Sequence, residues 1–172
     1  MNVFLVGPMG SGKSAVGRQL AQRLALEFID SDHEIEARTG VDIAYIFERE
    51  GEAGFRSREA EVIDTISRRD GVLVSTGGGA ILDAGTRERL RTRGRVVYLR
   101  TSVDQQLART RRSNDRPLLN NDDPRGTLER LFEQRAPLYA EVAEFVVDTD
   151  GRKVKTVVDQ ICRQLGVEGP QP

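Results

Sequence analysis

The sequence has almost no cysteine and no long apolar run, and these absences exclude several classes of protein. Cys162 is the only cysteine in 172 residues, so an intramolecular disulfide and a cysteine-based metal cluster are both excluded. No apolar run approaches the roughly 20 residues that a membrane-spanning helix requires. The first apolar stretch runs directly into a glycine-rich loop, without the basic region and cleavage site of a signal peptide. We expect a cytoplasmic globular protein with no membrane partner and with Cys162 in its core.

The sequence also lacks an excess of charge of either sign. The formal net charge is −1, whereas a nucleic-acid-binding protein normally carries a basic excess. Most of the positive charge is arginine, so a single arginine is weak evidence for a binding site until its context is known. The length fits a single domain, residues 1–172, and we expect a monomer without a nucleic-acid partner.

The most informative motif present is a phosphate-binding loop near the N-terminus. Residues 7–14 read G-P-M-G-S-G-K-S, which matches the pattern G-x-x-x-x-G-K-S. An apolar strand candidate precedes the loop and an amphipathic helix pattern follows it, which is the context that the motif requires. In such a loop Lys13 reaches the β- and γ-phosphates, the Ser14 hydroxyl ligates Mg²⁺, and the helix N-terminus attracts the anion. The sequence therefore predicts that the chain binds ATP or GTP.

The rest of the chain alternates between strand and helix patterns, which predicts an α/β fold with a parallel sheet covered on both faces. A long helical segment, 32–69, should break near Gly40 and again near Gly51–Gly54. Ligands of such sheets bind outside the carboxyl ends of the strands. The strand candidates are 2–6, 27–30, 71–75, 95–99 and 145–148. The helix candidates are 13–26, 32–69 with its breaks, 83–93, 103–111, 124–142 and 153–165.

Two aspartates close the second predicted strand. Asp30 and Asp32 can both face one cleft, where one carboxylate could hold Mg²⁺ and the other could accept a hydrogen bond from a substrate hydroxyl. The alternative is a plain turn or helix cap, which Asp and Ser also favour. The neighbouring His33 is interpreted as incidental, because phosphoryl transfer depends mainly on positioning and electrostatics.

Three consecutive glycines, residues 77–79, follow the third predicted strand. Their backbone can approach a ligand closely and their N–H groups can bind an anion. A flexible turn is the alternative, although such a turn rarely needs three glycines. Tyr45 and Phe47 are expected to be core residues.

Four arginines stand in contexts that suit anion binding. Arg56 lies where a helix restarts, and Arg135 precedes a proline in the last long helix; each could grip a carboxylate or could be a solvated surface charge. Arg116 lies in a polar, turn-rich segment and is a candidate cation that closes over phosphates. Arg152 follows the last strand, near where a nucleotide base would lie.

Taken together, these motifs resemble the shikimate kinase family, and the resemblance extends from residue 2 to about residue 165. The matching segments, in order, are G-P-M-G-S-G-K-S, F-I-D-S-D, G-E-A-G-F-R, S-T-G-G-G-A, R-P-L-L and R-A-P-L-Y-A-E-V-A. The phosphate loop is common to many families, but the combination with the aspartate pair, the triple glycine and the arginines is far more specific.

The resemblance implies transfer of the ATP γ-phosphoryl group to the 3-hydroxyl of shikimate, within the pathway to chorismate and the aromatic amino acids. It also implies a three-layer P-loop kinase fold of the nucleoside monophosphate kinase type, with a five-stranded parallel sheet. A mobile lid is expected at about 111–123 and a frayed tail at 166–172. The substrates would be shikimate and ATP, and the cofactor Mg²⁺.

The resemblance also implies residue roles. Mg²⁺ would be held by Ser14 with help from Asp30, and Asp32 would contact shikimate hydroxyls. The shikimate carboxylate would be held by Arg56 and Arg135. The other implied contacts are the backbone of Gly78 with shikimate, Arg116 with ATP phosphates, Arg152 near adenine, and Gly10, Ser11, Gly12, Lys13, Ser14 and Ala15 with phosphates. The expected catalytic residues are Lys13, Asp32 and Arg116.

Two other functions stay open at this point. Another small-metabolite kinase of the same fold, such as a gluconate kinase, is disfavoured by the arginine pair and the triple glycine. A catalytically silent nucleotide-binding module would bind ATP without turnover, and the full set of Lys13, Ser14, Asp32 and Arg116 disfavours it.

Overall fold

The computed structural model describes residues 1–110 and 121–167, and within them every predicted strand is confirmed to within one residue. The strands are β1 (Val3–Val6), β2 (Glu27–Asp30), β3 (Val72–Ser75), β4 (Arg95–Arg100) and β5 (Phe145–Asp148). The helices are α1 (Lys13–Leu24), α2 (Ser31–Thr39), α3 (Ile43–Ser67), α4 (Ala84–Arg93), α5 (Val103–Thr110), α6 (Pro124–Val142) and α7 (Val154–Leu165). A short 3₁₀ helix, Ala80–Leu82, follows the triple glycine and was not predicted.

The strands form one sheet in the order β2-β3-β1-β4-β5, and all neighbouring strands are parallel. The predicted α/β fold with a five-stranded parallel sheet is confirmed. β1 lies in the centre of the sheet. The strands that follow it in sequence, β2 and β3, lie on one side of it, and β4 and β5 lie on the other, so the direction in which strands are added reverses at β1. In open sheets the crevice at such a reversal, outside the carboxyl ends of the strands, is where ligands bind.

Side chains of the strands alternate between two apolar cores, one on each face of the sheet. In β1, Phe4 and Val6 belong to one core and Val3 and Leu5 to the other, and all four are fully buried. This two-sided burial explains why β1 reads as a continuous apolar run. The first core also contains residues of α2, α3, α4 and α6, and the second contains residues of α1 and α7. The sheet is therefore the middle of three layers.

Two glycines divide the long helical segment as predicted. α2 ends at Thr39, and Gly40 caps it with a left-handed backbone, φ 74°. Gly51 has φ 72° and ψ −178°, which bends α3 between its first two turns and its long remainder. Glycine adopts these angles without the steric penalty of a Cβ. The bend determines where the second part of α3 points.

The C-terminal helix ends at Leu165, as predicted, and the two residues after it are held against its last turn. Gly166 has φ 71° and caps α7, and the Val167 N–H donates to the Cys162 carbonyl at 3.0 Å. Both residues were expected to belong to the frayed tail 166–172, of which 168–172 lie outside the described residues. Cys162 is buried in the core, as predicted.

Most of the expected lid, 111–120, also lies outside the described residues. Its last part, 121–123, leads into α6, where the Asp123 carboxylate accepts the Gly126 N–H at 3.0 Å. Within the described ranges, no helix combines the length and apolarity needed to cross a bilayer.

The backbone at Gly7 generates a stability prediction. Gly7 has φ 149°, and a Cβ there would lie 2.5 Å from the Leu99 carbonyl oxygen, whereas a Cβ at Gly40 would meet nothing within 4 Å. Gly40→Ala should lower the free energy of unfolding by about 1–2 kcal/mol, the cost of a left-handed residue. Gly7→Ala should lower it by a further 1–3 kcal/mol or so, because the methyl group meets rigid backbone. Urea denaturation measures both, and equal losses would contradict the clash.

Candidate active site

The phosphate loop joins β1 to α1 and leaves the start of that helix open to an anion. Gly7, Gly10 and Gly12 have φ values of 149°, 76° and 88°, which turn the backbone back over itself. Gly12 caps α1 without a side-chain hydrogen bond, and the first turn of α1 contains no acidic residue. In contrast, α2, α3, α4 and α6 are capped by the carboxylates of Asp30, Asp42, Asp83 and Asp123. The glycine-rich turn and the positive dipole end of α1 therefore suit phosphate binding.

Lys13 is folded over this loop. Its side chain is buried, and Nζ donates to the carbonyls of Gly7 at 2.7 Å and Pro8 at 2.8 Å. These contacts hold the ammonium group against the phosphate loop. The arrangement concentrates positive charge where phosphate oxygens would lie.

Ser14 and Asp30 form a second contact between the loop and β2. The Ser14 hydroxyl donates to Asp30 Oδ2 at 3.0 Å, while Oδ1 accepts the N–H groups of Asp32 and His33 at 3.0 and 3.2 Å. Asp30 is thus a helix cap, as one interpretation of the sequence held, and also lies beside the loop serine. His33 is exposed and only its backbone takes part. The two oxygen-bearing side chains are of the kind that a hard cation such as Mg²⁺ prefers.

An open cavity of about 270 Å³ brings the phosphate loop together with the aspartate pair and the triple glycine. The predicted residues that line it are Gly10, Gly12, Lys13, Ser14, Ala15, Asp30, Asp32 and Gly78. Ser11 is buried beneath the loop, where its hydroxyl lies 3.4 Å from Lys13 Nζ. The juxtaposition that the sequence predicted is therefore present at the carboxyl ends of β1, β2 and β3.

The triple glycine leaves room for charged side chains of α2 and α3. The Gly77 N–H donates to Ser31 Oγ at 3.0 Å. A Cβ at Gly77 would lie 2.8 Å from Asp32 Oδ1 and 2.7 Å from Glu59 Oε2. If any other residue replaced Gly77, neither carboxylate could keep its position. A flexible turn would not need this fit, so the close-approach interpretation is the better one.

Arg135 lies behind the second glycine and is buried, not a solvated surface charge. Its side chain is 3% exposed, and Nη1 lies 3.5 Å from the point where a Cβ of Gly78 would be. The hydroxyl of Tyr139, one turn further along α6, donates to the Gly78 carbonyl. Burial lowers the pKa of Arg135, and its Nε has no hydrogen-bond partner within the described ranges. A buried guanidinium with an unmet donor is suited to a ligand carboxylate.

Arg56 reaches the third glycine from α3. A Cβ at Gly79 would overlap its guanidinium, so the group lies flat against the glycine backbone. Nη1 donates to Glu59 Oε1 at 2.7 Å, and Nε lies 3.6 Å from Glu52 Oε1. Arg56 and Arg135 therefore flank the same glycine segment from two helices.

Glu59 was missed by the sequence analysis. It is 2% exposed, and burial raises its pKa to about 7, although the nearby Arg56 guanidinium acts in the opposite direction. The spacing of Arg56 and Glu59, three residues apart on a helix, is a signal that could have found the pair. Such pairs are common on exposed helices, so the spacing alone would not have shown that this one is buried.

Arg109 was also missed. It lines the cavity from the last turn of α5, and its Nη1 donates to the Gly10 carbonyl at 2.9 Å. The neighbouring Gln106 donates to the Met9 carbonyl at 2.9 Å. α5 therefore supports the phosphate loop from the side opposite to β2.

Among the described residues, the predicted arginines Arg56, Arg135 and Arg152 do not line the cavity, although Arg56 and Arg135 lie against the glycine segment beside it. Arg116 lies outside the described residues. Arg152 donates to the Asp148 carbonyl at 2.8 Å and to Gln160 Oε1 at 2.5 Å, contacts that hold the turn between β5 and α7. Tyr45 was expected in the core, but it is 44% exposed; only Phe47 packs on the core, as predicted.

Comparison with known proteins gives a consistent set of similarities. The sequence profile of the shikimate kinase family matches residues 9–166. The chain is 57% identical over 165 residues to the shikimate kinase of Shewanella denitrificans, covering 96% of each. It is also similar to the solved structure of shikimate kinase from Acinetobacter baumannii in complex with shikimate, with a TM-score of 0.94 and 48% identity over 95% of this chain and 92% of that one. The chain is also similar to the solved structure of a deoxyadenosine kinase from M. mycoides, with a TM-score of 0.65 and 15% identity over 96% of this chain and 100% of that one. At this identity the similarity shows a shared fold alone.

The buried Glu59 carboxyl predicts a pH dependence of stability. Its pKa rises from 4.5 to about 7 on folding, so the native state binds more protons than the unfolded state between these values. The contribution of Glu59 to stability should therefore fall as pH rises from about 4.5 to 7, by up to about 3 kcal/mol. Urea denaturation of the wild type and of Glu59→Gln at pH 5, 6, 7 and 8 should show the variant gaining relative stability across this range. A constant difference would contradict the prediction.

Proposed function

The chain belongs to the shikimate kinase family, and we propose that it transfers the γ-phosphoryl group of ATP to the 3-hydroxyl of shikimate, giving shikimate 3-phosphate and ADP. It is a P-loop kinase of the pathway to chorismate and the aromatic amino acids. The observation that carries the proposed geometry is the single cavity lined by Lys13, Asp32 and Gly78. A phosphoryl donor on the loop and an acceptor on the glycine segment would lie side by side, as direct transfer requires.

The phosphate loop provides the donor side. The amides of residues 10–15 and the open N-terminus of α1 would hold the ATP phosphates. Lys13, buried and held against the loop by the carbonyls of Gly7 and Pro8, would neutralise charge on the transferring group. Arg109 would add positive charge at the edge of the same cavity.

Ser14 and Asp30 fit a magnesium ion. Their oxygens lie 3.0 Å apart beside the phosphate loop, and both are hard ligands. Mg²⁺ typically takes few protein ligands and completes its shell with water and substrate phosphates, which agrees with this small ligand set. The ion would shield the phosphate charge. The contribution of the protein is to place a hydroxyl and a carboxylate at that point.

The acceptor hydroxyl would lie against Asp32. This carboxylate lines the cavity next to the phosphate loop and packs on Gly77. It could orient the attacking hydroxyl and accept its proton. The backbone of Gly78 would contact the same substrate, since Gly78 lines the cavity with Asp32 and also lies beside Arg135.

The acceptor carboxylate would lie against Arg56 and Arg135. The two guanidiniums approach the glycine segment from α3 and α6, and the unmet Nε of the buried Arg135 favours an anionic ligand. A carboxylate would supply hydrogen bonds and charge that no described side chain provides to that Nε. This arrangement favours an acidic polyol over a neutral sugar or a nucleotide.

Several expectations from the sequence complete the proposal. Arg116 would contact the ATP phosphates from a lid over residues 111–123, and Arg152 would lie near the adenine, as the family resemblance implies. We also expect a cytoplasmic, monomeric, single-domain enzyme without a nucleic-acid partner, on the composition and net charge of −1.

Coupled ADP release with Mg-ATP tests the proposed activity. Turnover is expected with shikimate, and none with gluconate or nucleoside monophosphates at equal concentration. Lys13→Ala is the control that removes the loop charge; it should fold normally and lose on the order of 10² or more in kcat. Turnover of gluconate above that of shikimate would overturn the acceptor assignment, and normal turnover of Lys13→Ala would overturn the donor assignment.

The two arginines should dominate acceptor binding and leave ATP binding unchanged. A charge-assisted hydrogen bond contributes roughly 1.5–3 kcal/mol, so Arg56→Ala and Arg135→Ala should each weaken shikimate binding about tenfold or more. Calorimetry with shikimate, and separately with ATP, measures both affinities. Arg68→Ala, at the exposed residue that caps the C-terminus of α3, is the matched control and should change neither. If the site variants lost shikimate affinity and ATP affinity to the same extent, the two arginines would have a structural role and no specific role in acceptor binding.

Substitutions of Asp32 should separate orientation of the hydroxyl from proton abstraction. Asp32→Asn keeps the shape and one acceptor oxygen, whereas Asp32→Ala removes both. If positioning dominates, as the loose transition state of phosphoryl transfer favours, the Asn variant should keep clearly more kcat than the Ala variant. If basicity dominates, both should lose roughly 10²–10⁴ in kcat. Wild-type kcat and shikimate affinity in Asp32→Ala would refute any role in the reaction.

A further inference from the structure

A second cavity, of about 520 Å³, lies between α2 and α3, outside the candidate active site. None of its lining residues lines the phosphate-loop cavity. Its floor is apolar and is formed by Ile35, Val41, Ile46 and Val62. Its volume lies within the range of about 300–1,000 Å³ that is usual for small-molecule sites. We call it the α2–α3 cleft.

The cleft faces away from the acceptor arginine on the same helix. Arg56 and Glu59 are directed to the glycine segment, whereas Arg58 and Glu61 line the cleft. Residues two apart on an α-helix point in nearly opposite directions, and residues three apart share a face. The two pairs therefore occupy opposite sides of α3, and the cleft is not an extension of the acceptor pocket.

Three arginines surround the mouth of the cleft, and they differ in how far they are already paired. Arg58 makes three hydrogen bonds to Glu50, of 2.6–3.2 Å, and is committed to that carboxylate. Arg38 makes one, of 3.1 Å, to Glu34. These contacts leave most donors of Arg38 available on an exposed side chain.

Arg49 has the fewest contacts with carboxylates of the three, within the described part of the chain. Its guanidinium lies 5.3 Å from the ring centroid of Tyr45, and no carboxylate is paired with it in the part of the chain that the structure describes. Stacking on the exposed Tyr45 ring holds the group at the mouth without using its hydrogen-bond donors in the plane. A planar anion could accept two parallel hydrogen bonds there.

We propose that the α2–α3 cleft is a second ligand site, which binds a small organic anion with a flat apolar body. The carboxylate of this ligand would lie on Arg49 and Arg38, and its body would cover Ile35 and Val62. The exposed Tyr45 ring supplies the side wall for such a body, which accounts for an aromatic residue being 44% exposed at this point. Neither the charges nor the apolar floor are used by the proposed phosphoryl transfer.

Benzoate is the probe, because it combines a flat ring with a carboxylate, and neutral benzamide is its matched control. In ¹H–¹⁵N spectra of the full chain, benzoate should shift the amides around Val41 and Val62, with saturating shikimate present as well as without it. Benzamide and inorganic phosphate should bind clearly more weakly, because benzamide lacks the negative charge and phosphate lacks the apolar ring. Arg49→Ala should weaken benzoate binding about threefold to tenfold. Arg91→Ala, an exposed arginine of α4, should leave it unchanged.

Several results would overturn the proposal. One is equal binding of benzoate and benzamide, which would show that the arginines are not used. A second is loss of all benzoate shifts when shikimate is added, which would place the probe in the acceptor pocket. A third is shifts that change with protein concentration, which would indicate self-association. Binding in the cleft does not depend on the proposed function. Shikimate turnover of Arg49→Ala, measured without benzoate, reports that function separately and should stay at the wild-type level.

Discussion

The absence of side chains at residues 77–79 is the constraint on which the candidate site depends. A Cβ on the first glycine would lie within 2.8 Å of both Asp32 and Glu59, and one on the third would overlap Arg56. Arg135 lies against the second. Charged groups from α2, α3 and α6 can therefore converge on one backbone segment at the carboxyl end of β3. Any larger residue there would separate the aspartate from the arginines, and so the acceptor hydroxyl from the acceptor carboxylate.

This convergence leaves the site electrostatically incomplete without a ligand. Burial raises the pKa of Glu59 and lowers that of Arg135, so each buried group is less stable charged than it would be in water. Glu59 stabilises Arg56 directly at 2.7 Å, while the Nε of Arg135 stays unmatched within the described ranges. An incoming carboxylate supplies the missing negative charge. Part of the affinity for an acidic acceptor would therefore come from relief of this desolvation, and ligand binding would also stabilise the fold.

The parts of the site that were predicted from sequence are those that local chemistry determines. The phosphate loop is contiguous, and a strand, a glycine loop and a helix in that order leave little freedom for Lys13. Glu59 and Arg109 were missed because their importance depends on which helix face is buried and on contacts between α5 and the loop, and neither follows from spacing. Tyr45 was wrongly expected in the core for the same reason. An apolar pattern identifies a helix face but not whether another element covers it.

The bend at Gly51 links the two sides of α3. It lets the first turns of the helix fold back so that Phe47 packs on Phe55, with ring centroids 4.9 Å apart, while the remainder directs Arg56 at the glycine segment. The walls of the α2–α3 cleft come from both sides of this bend, and the bonds between Glu50 and Arg58 span it. A straight helix would separate these two residues by about 12 Å along its axis, too far for that contact. One glycine with φ 72° thus shapes both the acceptor side of the active site and the cleft behind it.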